Sequence, residues 1–275
     1  MRTILITGCS SGIGYHAAHT LKAQGWRVLA TCRKPEDCAR LQDEGLESFV
    51  LDYEDPQSIE AAFTHAMTLT GGTLDALYNN GANTIPAAVE DLPVDALRQN
   101  FEANFFGWHD LTRRVIAVMR AQGHGHIIQC SSVLGLVAIP WRGAYIASKF
   151  ALEGLTDTLR LEMRGTGIHV VSIEPGPITS DFRLNARKAF DTWIDWKASA
   201  RAEEYRTKLV PRLYDAHKKP DRFERGPEAV TNALIKALNS DRPRAHYYVT
   251  IPTWIAAIAR RLLPTAVLDA FSAKA

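Results

Sequence analysis

The first fourteen residues constrain the fold more than any other stretch. Arg2-Thr3-Ile4-Leu5-Ile6-Thr7 is a short β-rich apolar run, Gly8-Cys9-Ser10-Ser11-Gly12-Ile13-Gly14 follows, and Ala17, Ala18 and Leu21 then recur at helical spacing before Gly25. The order is strand, glycine-rich turn, helix. Glycines allow a tight turn and a close approach of backbone to a pyrophosphate. A helix N-terminus adds unpaired N–H groups and the positive end of its dipole. The spacing is Gly-x-x-x-Gly-x-Gly, not Gly-x-Gly-x-x-Gly. In this strand–helix context it predicts a dinucleotide cradle made by Gly8, Ser10, Ser11, Gly12, Ile13 and Gly14.

A second apolar run, 26–31, ends at Cys32-Arg33-Lys34. A site that holds a free ribose 2′-hydroxyl usually has an acid here, about 20 residues past the glycines. This chain has Arg33 and Lys34 instead, and a guanidinium suits a 2′-phosphate. The expected cofactor is therefore NADP(H). Glu36 and Asp37 are expected to face water. Phe49-Val50-Leu51-Asp52 and Leu74-Asp75-Ala76-Leu77-Tyr78-Asn79-Asn80-Gly81-Ala82 read as two more strands with polar C-terminal ends. In a parallel sheet such ends line the ligand crevice. Asp52 is placed to accept from an adenine amino group, Asn79 to brace the sheet, and Asn80 and Gly81 to lie along the cofactor. Strands alternate with helices to the end of the chain. The fold expected is α/β: one domain, 1–275, a Rossmann-type doubly wound parallel sheet of about seven strands with helices on both faces.

Tyr145 and Lys149 stand four apart in Tyr145-Ile146-Ala147-Ser148-Lys149, so on a helix they share a face, about 6 Å apart along the axis. A free tyrosine has a pKa of about 10, and a neighbouring ammonium favours its ionised form. Ser132, in Cys130-Ser131-Ser132, is placed to orient a substrate oxygen beside that phenol. Tyr-x-x-x-Lys alone is a weak signal that also fits a half-buried tyrosine with a solvated lysine.

Taken with the glycine motif the chain resembles the short-chain dehydrogenase/reductase family over nearly its whole length. The likeness rests on Thr7-Gly8-x-x-x-Gly12-x-Gly14, Asn79-Asn80-Gly81, Asn104, Ser132, Tyr145-x-x-x-Lys149 and Pro175-Gly176 in order and spacing. The stretches 8–14 and 147–154 are most similar to the hydroxysteroid and retinol dehydrogenase branch and to bacterial aldehyde reductases. The resemblance implies that Tyr145 is the general acid or base, that Lys149 holds the nicotinamide ribose and lowers the tyrosine pKa, and that Ser132 binds the carbonyl or alcohol oxygen. It implies that Asn104 anchors a water relaying protons to Lys149, and that Pro175, Gly176, Ile178 and Thr179 flank the nicotinamide after the sixth strand, 168–173. Ser131 is a rival to Ser132, which has the family's thirteen-residue spacing to the tyrosine. The family usually reads Asn-Asn-Ala-Gly, whereas Gly81 and Ala82 are in the reverse order here. An alanine forced to positive φ would cost about 1 kcal/mol or more.

With 275 residues the chain can bury a large core, and its net charge of +2 gives no grounds for a nucleic-acid partner. Cys9, Cys32, Cys38 and Cys130 have no metal-site spacing and suggest reduced thiols in the cytoplasm. The first strand is expected almost at Met1, so no signal peptide is expected. None of the nine histidines shows ligand spacing, and His124-Gly125-His126 reads as a turn before a fifth strand at 127–129. No metal is expected. Long helices are expected at 95–119 and 145–164, with a seventh strand at 245–251.

Residues 180–225 break the regular pattern and carry Phe182, Phe190, Trp193, Trp196, Tyr205 and Tyr214. An insertion of this kind is expected to be a substrate lid, or else a set of surface helices pinned by aromatics. With Leu134, Trp141 and Phe182 as the wall, the expected partner is a small hydrophobic carbonyl or alcohol. The tail, 253–275, is apolar and then basic, too short and interrupted to span a membrane. It is read as a protein contact in preference to a lipid surface. The leading reading is an NADPH-dependent reductase of aldehydes or ketones. The alternatives are a steroid or retinoid alcohol dehydrogenase and a non-catalytic NADPH-binding sensor. The resemblance also implies a homodimer or homotetramer.

Overall fold

The computed structural model describes residues 1–215 and 223–273. Seven strands form one parallel sheet: β1 (Thr3–Ile6), β2 (Arg27–Cys32), β3 (Glu47–Val50), β4 (Ala76–Asn79), β5 (Gly125–Cys130), β6 (Ile168–Glu174) and β7 (His246–Tyr248). Their order across the sheet is β3-β2-β1-β4-β5-β6-β7. The order reverses between β1 and β4, which opens the crevice where a doubly wound sheet binds its ligand. β1 and β4 are buried at every position, as strands covered by helices on both faces must be.

The helices are α1 (Gly12–Ala23), α2 (Pro35–Asp43), α3 (Pro56–Thr70), α4 (Val94–Phe101), α5 (Gly107–Gln122), α6 (Gly143–Glu162), α7 (Phe182–Trp193), the short α8 (Ala202–Glu204) and α9 (Val210–Tyr214), α10 (Glu228–Leu238), α11 (Ile251–Leu262) and α12 (Thr265–Ser272). α1 packs on α10, α3 on α5, and α4 on α6. Local chemistry sets their ends. Asp55 caps α3 by accepting from Gln57 N, with Pro56 at the first position, and Gly71 closes it at φ 67°.

Several boundaries differ from the sequence reading. The helix expected at 95–119 is α4 and α5 joined by a π-helical turn, Glu102–Phe106, centred on Asn104. The seventh strand is three residues long, and α11 begins at Ile251, inside the expected range 245–251, with Pro252 in its first turn. His126 lies in β5 rather than in a turn, and burial drives its pKa down to about 4. Ala82 avoids the feared penalty. Trp141, at φ 68°, is the one non-glycine residue with positive φ among the described residues, so the reversed Gly81-Ala82 order costs no strain there.

Two apolar clusters hold the molecule together. The larger fills both faces of the sheet. The smaller is built by Phe190, Ile194, Tyr205, Leu209 and Leu213 from residues 180–225 against Ile85, Ala87, Ala88 and Ala96.

Candidate active site

β1 delivers Thr7 to the crevice floor. Its hydroxyl oxygen accepts from the backbone N–H of Asn80 at 2.9 Å and of Gly81 at 3.2 Å. Tyr53 donates to Asn79 Oδ1 at 2.6 Å, and Asn79 Nδ2 donates to Thr112 and Gln129, so Asn79 ties β4 to α5 and β5. The Asn80 amide is directed at the loop itself, donating to the carbonyls of Thr7 at 3.0 Å and Gly8 at 3.3 Å. A Cβ on Gly8 would come within 2.5 Å of Gly81 Cα, and one on Gly14 would collide with the Gly8 carbonyl. These glycines let two loops and a helix start share one small volume.

That cradle fits a pyrophosphate. Ser11 does not cap α1 with its side chain, and the first turn carries no acid, so the N–H groups and the positive dipole end remain available to an anion. At the end of β2, Arg33 is 58% exposed and its guanidinium is 3.9 Å from Glu54. Lys34 stands 3.8 Å from Glu36, an exposed contact of little energy. Asp52 turns its carboxylate onto its own loop, accepting from Glu54 N at 3.1 Å. Arg40, not singled out from the sequence, donates to the Ser10 carbonyl at 2.6 Å and lies over the Tyr15 ring. Its contact crosses thirty residues of chain, with no local pattern to mark it.

Ser132 lies just beyond the C-terminal end of β5, and the inner face of α6 carries Tyr145, Ser148, Lys149, Leu152 and Glu153, all buried. Ser132 begins a 3-10 turn, Val133–Gly135, and its oxygen accepts from Leu134 N at 3.1 Å. Burial pushes the Tyr145 phenol above its ordinary range, Cys130 adds to that, and the Ser132 hydroxyl pulls it back. The lowering expected from Lys149 is not the dominant effect in this arrangement. Lys149 is fully buried, donates to the Cys130 carbonyl at 2.9 Å and lies 4.2 Å from the centre of the Trp108 ring. Burial pulls its pKa down to about 8, against Cys130 and Glu153, which raise it. Its nitrogen is 5.6 Å from the Tyr145 ring centre.

Asn104 accepts from Asn83 N at 2.7 Å and donates to Asn83 O at 2.8 Å, with Asn100 and Ser148 also in reach. Its side-chain amide is thus committed to protein partners. Trp108, four residues on, donates to the Gly81 carbonyl at 2.9 Å and joins the nucleotide loop to Lys149. Asn83 and Trp108 escaped the sequence reading. Their spacing to the Asn-Asn-Gly run and to Asn104 is the only signal they leave.

The aromatics of residues 180–225 divide between two tasks. Phe182 meets the Tyr145 ring edge to face at 5.4 Å between centroids. Phe190, Tyr205 and Trp196 pin the helices, and Trp141 joins them, its ring 4.9 Å from Tyr205. Trp193 donates to Gln99 at 2.8 Å, and the Tyr205 hydroxyl accepts from Ala88 N and donates to Asp91. Ile178 forms an isolated bridge to Arg225, with Thr179 N donating to the Arg225 carbonyl. Val133 N donates to the Pro175 carbonyl, and Gly176 is wedged so closely on Thr250 that a Cβ there would clash. The expected lid range, 180–225, includes 216–222, which lie outside the described residues.

A doubly wound parallel sheet with a glycine cradle and a buried Ser–Tyr–Lys group at its crevice defines a nucleotide-dependent oxidoreductase. The chain belongs to the short-chain dehydrogenase family: the family profile described as short chain dehydrogenase matches residues 2–190. It is 39% identical over 269 residues, 98% of this chain and 93% of the relative, to the uncharacterized oxidoreductase YbbO of Escherichia coli strain K12. It is 29% identical over 98% of its length, and 95% of the relative's, to the NADPH-dependent 3-dehydrocapnine reductase of Ornithobacterium rhinotracheale. A short-chain dehydrogenase from Streptomyces avermitilis superposes with a TM-score of 0.80 at 25% identity, covering 98% and 95% of the two chains.

Proposed function

We propose that this chain is an NADPH-dependent reductase of hydrophobic aldehydes or ketones, working in reverse as an alcohol dehydrogenase. The reading is carried by the convergence of Ser132, Tyr145 and Lys149, all buried, beside the glycine cradle. The bound nicotinamide supplies the hydride in reduction and takes it up in oxidation.

The residues of the chain do the rest. Tyr145 donates its phenolic proton to the oxygen of the carbonyl as the carbon is reduced. Burial keeps the phenol protonated but weakens it as an acid, and the Lys149 cation on the same helix face offsets that weakening. Ser132, steadied by Leu134 N–H, donates a hydrogen bond to the same oxygen and fixes its position. Lys149 holds the ribose hydroxyls and, as a buried cation near neutrality, opposes the charge left on Tyr145. Asn104 is a positioning residue that locks Asn83 and the π-helical turn. Arg33 and Lys34 contact a 2′-phosphate, and the name of the Ornithobacterium relative supports that preference. Phe182 and Leu134 exclude water beside the phenol. We place the protein in the cytoplasm as a homo-oligomer. Its four free cysteines, all buried, fit a reducing compartment.

The test is the loss of NADPH absorbance with aliphatic, aromatic, terpenoid, retinoid and steroid carbonyls, run in parallel with NADH. Turnover with NADPH on apolar aldehydes or ketones is expected. A ranking led by steroids or retinoids moves the assignment to that class. NADPH binding with no turnover on any carbonyl overturns the enzyme in favour of a sensor.

A further inference from the structure

The tail does not bury its apolar surface. On α11, Thr253, Ala256 and Ala257 face the protein. The opposite stripe, Ile251, Trp254, Ile255, Ile258 and Leu262, is exposed, Trp254 by 48% and Leu262 by 75%. α12 continues it with Val267 and with Phe271, 71% exposed, and has no buried residue although it is an apolar helix. An apolar helix outside a core marks an interaction surface.

A second observation adjoins the first. A cavity of about 510 Å³ opens beside α11 and is lined by Lys236, Arg242, Arg244, Tyr247, Tyr248 and Trp254, among others. Trp254 belongs to both the cavity wall and the exposed stripe, and its ring meets Tyr248 edge to face at 5.0 Å. No ion pair joins Lys236, Arg242 or Arg244 to a carboxylate among the described residues. From 236 to the end of α12 at 272 the chain carries five cations, these three with Arg260 and Arg261, against two acids, Asp241 and Asp269. Arg260 is turned to the protein, donating to the Gly135 carbonyl and lying over the Phe150 ring.

We infer that the α11–α12 face docks on an anionic lipid surface, with the apolar stripe in the acyl boundary and the basic cavity on the headgroup phosphates. Apolar face, interfacial tryptophan and flanking arginines are the composition of a helix lying in a membrane interface. A second protein fits less well. It would have to set acidic groups against Lys236, Arg242 and Arg244 beside the apolar stripe, and a second copy of this chain, with a net charge of +2, is not acidic. A bilayer needs no matching shape. No helix among the described residues is long and apolar enough to cross a membrane, so the contact is peripheral.

The experiment is co-sedimentation of the full chain with phosphatidylcholine vesicles and with phosphatidylcholine–phosphatidylglycerol vesicles, at low and high salt. Sedimentation with the anionic vesicles that salt weakens at least tenfold is expected. Ile258→Asp and the double substitution Arg242→Glu with Arg244→Glu should each lower it at least tenfold, with turnover of a water-soluble aldehyde unchanged. Because these positions are exposed or line an open cavity, that turnover also reports that both variants fold. Equal binding to the two vesicle types overturns the inference. So does displacement by inorganic phosphate at matched ionic strength, which makes the cavity a site for soluble anions. Absence of vesicle binding together with a dimer that Ile258→Asp dissociates makes the face an interface between copies and overturns it too.

Discussion

Lys149 donates to the Cys130 carbonyl at 2.9 Å while its ammonium lies 4.2 Å from the centre of the Trp108 ring. A fully buried cation therefore has one backbone acceptor and one aromatic face in place of water. Its pKa of about 8 in the folded chain is below the value of about 10.4 for an unfolded lysine. Between those limits the unfolded chain holds the proton and the folded chain does not. The contribution of Lys149 to stability consequently rises with pH across that window. Burial of Tyr145 acts oppositely only above about pH 10, where the unfolded chain loses the phenolic proton first. The thiols of Cys9, Cys32 and Cys130, raised by burial, oppose the rise from about pH 8.5 upward, so the test is the difference between two chains. Lys149→Met should make the slope of stability against pH more negative from pH 8 upward, as measured by denaturant midpoints of the cofactor-free protein. An unchanged slope would contradict the burial argument.

Tyr145→Phe removes the proton donor and leaves the ring packed against Phe182. A loss of about 10²-fold or more in kcat is expected, the scale of a general acid, with the thermal midpoint little changed. Turnover at the level of the unsubstituted protein would end the role assigned to the phenol.

Arg33→Ala tests the cofactor preference. A hydrogen bond to a charged group contributes about 1.5 kcal/mol at the lower end, or roughly tenfold in binding. The KM for NADPH should rise about tenfold, and that for NADH should hardly move. Equal effects on both cofactors would place the guanidinium, now 3.9 Å from Glu54, away from any 2′-phosphate.

Phe182→Ala opens the wall beside the phenol. An aromatic edge-to-face pair contributes about 0.5–1.5 kcal/mol beyond its buried area. The KM for bulky apolar carbonyls should rise several-fold while kcat on a small aldehyde stays near its original value. Steady-state kinetics on a graded series of aldehydes separates the two. A kcat loss on the small aldehyde as large as that on the bulky ones would mean that Phe182 orients Tyr145 rather than the substrate.

Local sequence was enough wherever a residue's task is set by its neighbours in the chain. The run 2–14 announced strand, turn and helix because glycine spacing and apolar periodicity are local properties, and β1 and α1 follow from them. Tyr145 and Lys149 share a face of α6 for the same reason. Helix ends and strand lengths were less legible. β7 stops at Tyr248 because the chain turns into α11 at Ile251, and the π-helical turn at Asn104 breaks a helix that periodicity alone would draw unbroken.

The aromatic stretch shows why the rest was hidden. Composition marked Phe182 and Phe190 alike, yet one ring stands on Tyr145 and the other fills a cluster with Tyr205. Which ring does which depends on how residues 180–215 fold back over 85–96, and no spacing encodes that. The sequence by itself determined the class of sheet, the glycine cradle and the Tyr–Lys pair, because each is set by residues within a few positions of one another. Only the tertiary structure decided that burial holds the phenol above its usual range, that Asn104 is bound to Asn83, that Arg40 reaches Ser10, and that the tail leaves its apolar stripe uncovered. Those outcomes depend on desolvation and on contacts between distant parts of the chain, and both exist only after the chain has closed on itself.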